Sequence, residues 1–150
     1  MIEINNLTTN QVDKEFLREV AKKVLISENK ERLELSIVFV GQARIRELNK
    51  KYRRKNRVTD VLSFRYGDSG EIVVCLQEIK KNAKKFKSVF EKELAKVLIH
   101  GVLHLLGYDH EKGEGEENKS SSSTSSRKRD SVKEARKMEE KQKYYLKKFF

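Results

Sequence analysis

Apolar residues recur at structured intervals as far as Tyr108, and then none occurs from Asp109 to Ser131. That gap, "DHEKGEGEENKSSSSTSSRKRDS", cannot bury enough surface to offset the entropy of ordering it. A packed core must therefore come from the residues before it and from whatever docks back after it. Beyond the gap Val132, Ala135, Met138, Gln142, Tyr145 and Phe149 return at helical spacing, which predicts a terminal helix lying on the core. The expected organisation is one domain over 1–150, with a polar Ser-rich loop at about 112–130 and a docking helix at about 131–148. A flexible loop outweighs a specific binding motif as the reading of the Ser-rich run.

The earlier elements are legible from periodicity. "IEINNL" alternates as a short strand, and Val12, Phe16, Val20, Val24 and Leu25 then mark an amphipathic helix. "LELSIVFV" is rich in β-branched residues and stops at Gly41, as a buried strand does. Ala43, Ile45, Leu48 and Tyr52 lie on a helix that is otherwise strongly basic. "VLSFRY" and "EIVVCL" flank the turn cluster "GDSG" and predict an antiparallel pair. "QEIKKNAKKF" leads through a break at Lys87–Ser88 into a long helix ending at Leu106. The expected fold class is α+β or α/β, two classes that sequence separates poorly. It has a small mixed sheet, mostly parallel with one antiparallel strand, covered by helices around a central His-bearing helix.

All three histidines of the chain fall within the eleven residues "HGVLHLLGYDH". On a helix turned by about 100° per residue, Phe90, Leu94, Val97, Leu98, Gly101 and Leu105 form one apolar stripe. His100 and His104 sit together at its edge, one turn apart, where Cβ atoms are about 5–6 Å from each other. Gly107 offers a left-handed exit from the helix that can swing His110 back towards the pair. Three imidazoles with an open fourth position are the layout of a catalytic zinc site, and this spacing favours ligation over three structural histidines. The spacing also matches the long zincin pattern, but Gly101 stands where that pattern carries its general-base Glu. Metal binding survives that change; a peptidase's proton shuttle does not. Glu93 shares the histidine face but lies two turns away, beyond direct reach, so no general base is legible.

These residues resemble the signature of the YbeY family of metal-dependent endoribonucleases. "LNKKYRRKNRVTDVLSF" is similar to the family's Leu-Asn, Tyr-Arg and Thr-Asp-Val-Leu-Ser-Phe segment, and "GEIVVC" to the strand that follows it. Met138 and Glu139 resemble its final helix. The resemblance implies a hydrolase with one zinc ion, or another divalent transition metal, held by His100, His104 and His110 at the bottom of a basic cleft. It implies Arg53 as the functional arginine, acting with a metal-bound water. The implied activity is single-strand-specific cleavage in ribosomal RNA maturation, at the 3′ end of small-subunit rRNA, and in ribosome quality control. The implied partners are ribosomal RNA and the small ribosomal subunit. Val58 and Arg65 depart from the pattern, since the family carries Pro before Thr59-Asp60 and after Phe64. The Ser-rich segment is longer than the family usually has.

Charge supports the same reading. The chain carries a net +11 with a pI near 9.7, which suits a polyanionic partner. From Arg44 to Arg57 there are eight Lys or Arg and one acid. A solvated face normally mixes signs, so Arg44, Arg46, Lys50, Lys51, Arg54, Lys55 and Arg57 read as a phosphate track. Tyr52 either stacks on a base or packs in the core, and Lys80 to Lys87 either extends the track or is a plain solvated face. Asp109 either orients a ligand imidazole from the second shell or caps the turn. Cys75, the single cysteine, reads as a buried strand residue; it rules out an internal disulfide and fits a reducing compartment. The N-terminal "MIEINNLTTN" lacks a signal-peptide layout and no apolar run approaches a membrane span, so the expectation is cytoplasmic, with no membrane partner. Two other classes remain: a zinc peptidase or amidase-like hydrolase, and a non-catalytic ribosome-assembly factor with a structural metal. Oligomeric state is not legible.

Overall fold

Four short segments pair into the sheet of the computed structural model, which describes residues 1–108 and 124–150, the side chains of 124–131 excepted. They are β1 (Ile2–Asn6), β2 (Glu34–Val40), β3 (Val61–Tyr66) and β4 (Ser69–Cys75). Their order across the sheet is β1-β2-β4-β3. β1 and β4 run parallel to β2, and β3 runs antiparallel to β4 across a turn at Gly67–Asp68. This is the expected mixed, mostly parallel sheet with one antiparallel strand, and β3 forms an edge.

Side chains alternate between the two faces because the strand repeat is two residues. Leu35, Ile37 and Phe39 of β2 join Ile72 and Val74 of β4 in the larger core. That core lies under α1 (Lys14–Ser27), α4 (Phe90–Leu105) and α5 (Thr124–Leu146). Val40, Val73 and Cys75 point the other way, against Ile45 of α2 (Gln42–Arg53). Burial there pushes the Cys75 thiol up, so it is a packed strand residue and no ready thiolate ligand. α1 is started by Asp13, whose carboxylate accepts from the Phe16 N–H at 3.1 Å. α3 (Leu76–Lys85) is separated from α4 at the predicted break, where Lys87 adopts φ 52° and the Ser88 N–H donates to the Ala83 carbonyl at 2.9 Å.

Two expectations are corrected. The apolar stripe drawn on α4 is too narrow, because Ala95, Ile99, Val102 and Leu103 are buried as well. The helix packs against α1, α3, α5 and β3 together, so few of its faces meet water. α5 also begins at Thr124, inside the segment expected as loop, rather than near residue 131. Neither Gly nor Pro falls between Thr124 and Val132, and extending a formed helix costs little beside nucleating it, so the turns N-terminal to its docked part need no apolar face.

Glu28, at the C-cap of α1, ties three helices together. Its Oε1 accepts from Lys141 Nζ at 2.7 Å and from the Tyr145 hydroxyl at 2.6 Å, and its Oε2 from the Tyr108 hydroxyl at 3.0 Å. Lys141 and Tyr145 belong to α5, while Tyr108 follows α4, so the hub holds the chain just where it leaves the His-bearing helix. Among the described residues no helix is long and apolar enough to cross a membrane.

Candidate metal centre

His100 and His104 stand one turn apart near the end of α4, their ring centroids 5.0 Å apart and their planes at 61°. His100 is half-buried and His104 exposed. His100 Nδ1 lies 3.1 Å from Gln142 Oε1 on α5. With the amide oxygen as acceptor, Nδ1 carries the proton and Nε2 keeps the lone pair that a metal takes. Sequence reasoning used Gln142 only as a step of the docking-helix repeat. Its one signal was a polar residue in an otherwise apolar series.

The exit from α4 follows the glycine. Gly107 adopts φ 97°, its N–H donates to the His104 carbonyl at 3.1 Å, and the Tyr108 N–H donates to the Leu103 carbonyl at 3.1 Å. This is a Schellman ending, which reverses the chain directly after the second histidine. His110 and Asp109, the predicted third ligand and its neighbour, lie outside the described residues, as does most of the Ser-rich segment. Among the described residues no three of His, Cys, Asp and Glu come together as a metal set. The His100–His104 pair is what they contribute, and its imidazole chemistry suits zinc or another borderline transition metal.

Gly101 explains why a peptidase's Glu is missing beside His100. A Cβ at this position would lie 3.1 Å from Ile72 Cγ2 and 3.3 Å from Ser63 Oγ. α4 therefore rests directly on β3 and β4, and Ser63 Oγ donates to the Gly101 carbonyl at 3.2 Å. Any larger residue here, glutamate included, would have to push the Ile72 and Ser63 side chains aside. The same close packing links the histidine helix to Arg53, whose Nη2 donates to the Ser63 carbonyl at 2.7 Å and whose guanidinium carbon lies 5.4 Å from the Phe64 ring centroid. Arg53, Ser63 and Gly101 thus form one continuous path across the edge strand, from the end of α2 to the residue after His100.

Arg65, which stands where the family carries Pro, is a tether: its Nη1 donates to the Leu105 carbonyl at 2.6 Å and its Nε to the Gly67 carbonyl at 2.7 Å. A cation on the last carbonyls of α4 also complements the negative end of the helix dipole. Glu93 lies two turns from His100, as expected, and both line one cleft of about 360 Å³.

The basic run folds as expected, but on the opposite face of the sheet from α4. Arg44, Arg46, Lys50, Lys51, Arg54 and Arg57 are exposed and Lys55 is half-buried. Arg44 pairs with Glu47 at 3.4 Å, and Arg46 Nε donates to Asn56 Oδ1 at 2.9 Å. Tyr52 is half-exposed and meets Phe64 edge-on, with ring centroids 5.3 Å apart. Asn49, the Asn of the Leu-Asn step, is buried and its Nδ2 donates to the Arg57 carbonyl at 3.0 Å, which folds the end of the track back onto α2.

The chain is similar to known proteins in sequence and in fold. The family model described as Endoribonuclease YbeY matches residues 3–127. The chain is 43% identical over 116 residues to Endoribonuclease YbeY of Petrotoga mobilis, covering 74% of this chain and 80% of that one. It is 38% identical over 119 residues to the protein of the same name from Persephonella marina, covering 73% and 78%. A solution structure of TM1509 from Thermotoga maritima superposes with a TM-score of 0.63 at 36% identity, over 97% of this chain and 87% of that one. The histidine helix, the edge strand laid against it and the matched sequence lead to one assignment: this chain belongs to the YbeY family of endoribonucleases.

Proposed function

We propose that this chain is a metal-dependent endoribonuclease that cuts single-stranded RNA during ribosomal RNA maturation. Its proposed site of action is the 3′ end of small-subunit rRNA, with a part in ribosome quality control, in the cytoplasm. Its proposed metal is one zinc ion per chain, held by His100, His104 and His110. The observation that carries the reading is the His100–His104 pair, oriented by Gln142 and joined to Arg53 through Ser63 and Gly101.

Bound there, the ion would supply Lewis-acid polarisation of a phosphate and a lowered pKa for a water. The rest falls to the chain's own groups. Gln142 holds His100 in one tautomer and one rotamer before any ligand arrives. The Ser63 carbonyl and the Phe64 ring hold Arg53 at the strand edge, while its guanidinium is exposed and has further N–H groups to offer. A planar fork suits two phosphate oxygens and the charge that builds on them during cleavage. The cations of α2 supply the sequence-independent attraction that brings the backbone to that edge.

Protein purified without a metal-binding tag should contain close to one zinc per chain and cut a single strand but not a duplex. Chelation should abolish cleavage and added zinc restore it, while His104→Ala should lose both metal and activity. Undiminished cleavage by metal-free protein, or full metal content in His104→Ala, would contradict the reading.

A further inference from the structure

The cleft beside His100 lies between α3, α4, α5 and the start of β3, and its charge runs against that of the molecule. In a chain of net +11, the walls bring together the carboxylates of Asp60, Glu93 and Glu139. Lys96 lines it too, but carboxylates outnumber cations there, so what the recess chiefly offers RNA is hydrogen-bond acceptors. Glu93 is the clearest of them. It is 7% exposed, and no hydrogen bond or ion pair joins its carboxylate to another described residue. Yet those residues contain no fully buried, unsatisfied side-chain oxygen or nitrogen. The carboxylate oxygens of Glu93 must therefore open into the cleft it lines.

A carboxylate opening into a cleft offers acceptor oxygens, so the ligand group it suits is a donor. A nucleobase has the right chemistry, with N–H groups along one edge and a flat apolar face. Phe86 lines the same cleft with its side chain 60% exposed. Lys85 Nζ and Lys96 Nζ stand over its ring at 5.6 and 5.9 Å from the centroid, flexible cations that a stacking base would displace towards its own phosphate.

We propose that this cleft is a base-recognition subsite, in which one unpaired nucleotide lays its base on Phe86 and donates its amino edge to Glu93. Guanine is favoured, since its ring N–H and its 2-amino group lie side by side and can meet both oxygens of one carboxylate. Cytosine and adenine offer one amino group, and uracil a lone imide N–H. The inference rests on the reading of the chain as an RNA endonuclease, and it adds a preference for sequence to a site otherwise built for backbone.

The test is equilibrium binding of labelled five-nucleotide single strands to the full chain, comparing all-uridine with the same strand carrying one central guanosine or cytidine. The parent should bind the guanosine strand about tenfold tighter than all-uridine, with cytidine between. Glu93→Gln keeps the shape and should erase the ranking. Phe86→Ala, at an exposed position, should weaken binding of the guanosine strand by about fivefold or more. Equal affinity of the parent for all three strands, or an unchanged ranking in Glu93→Gln, overturns the subsite and leaves the endonuclease reading standing. A parent that binds no strand overturns both.

Discussion

Arg53 differs from its neighbours Arg54 and Lys55 in one respect that charge does not capture. Its guanidinium is held by the Ser63 carbonyl at 2.7 Å and lies over Phe64, so one cation of a basic run has a fixed address. If the fork clamps the scissile phosphate, lysine is a poor substitute, because an ammonium cannot hold the carbonyl and two phosphate oxygens in one plane. Arg53→Lys should keep metal content and most RNA affinity but lower single-turnover cleavage by about 10²-fold or more, the usual cost of one transition-state donor. Cleavage at the parent rate would reduce Arg53 to one more charge in the track. In the sequence, the "YRRK" step marked Arg53 by resemblance alone. What singles it out physically is a backbone carbonyl ten residues away, which no local pattern announces.

At the scale of elements, Glu28 joins the end of α1, the exit from α4 and the body of α5. Burial pushes its carboxyl up, but hydrogen bonds from Lys141, Tyr145 and Tyr108 more than reverse this, and the net shift is downward. A carboxylate with a depressed folded pKa contributes stability that is complete above its unfolded value and is lost as pH falls through the folded one. Stability of the parent should therefore decline as pH drops below the usual carboxylate range. Glu28→Gln should cost about 1–3 kcal/mol near neutrality and show a shallower acid decline. Urea midpoints of both proteins across that range decide it, and parallel curves would remove Glu28 as the cause. The elements themselves were largely legible: strand alternation, the Lys87–Ser88 break and the Gly107 exit are local signals, and each appears where the spacing puts it. Glu28, Gln142 and Arg65 were not legible, because each acts on a partner from a distant element. The histidine pair was readable because one helical turn brings it together unaided.

For the whole molecule, the sheet separates the two proposed sites. α2 carries the track on one face, α4 carries the histidines on the other, and β3 is the edge between them. RNA affinity should fall linearly on a log–log plot against salt as counterions are released. Replacing exposed Lys50 and Arg54 with Ala should flatten that slope by about 0.7 per lost contact on a single strand. An unchanged slope would place the backbone path elsewhere, with the lysines of α3 next to test. The Glu28 hub has a further consequence, in time rather than in space. Its bonds to Lys141 and Tyr145 span 113 and 117 residues, and the support of His100 by Gln142 spans 42. Contacts this remote in sequence close late, after local helices and hairpins have formed. During synthesis both histidines emerge before the helix that orients the first of them and braces the exit beyond the second. A chain proposed to cut the RNA of ribosomes is thus left without that support until α5 has cleared the ribosome making it.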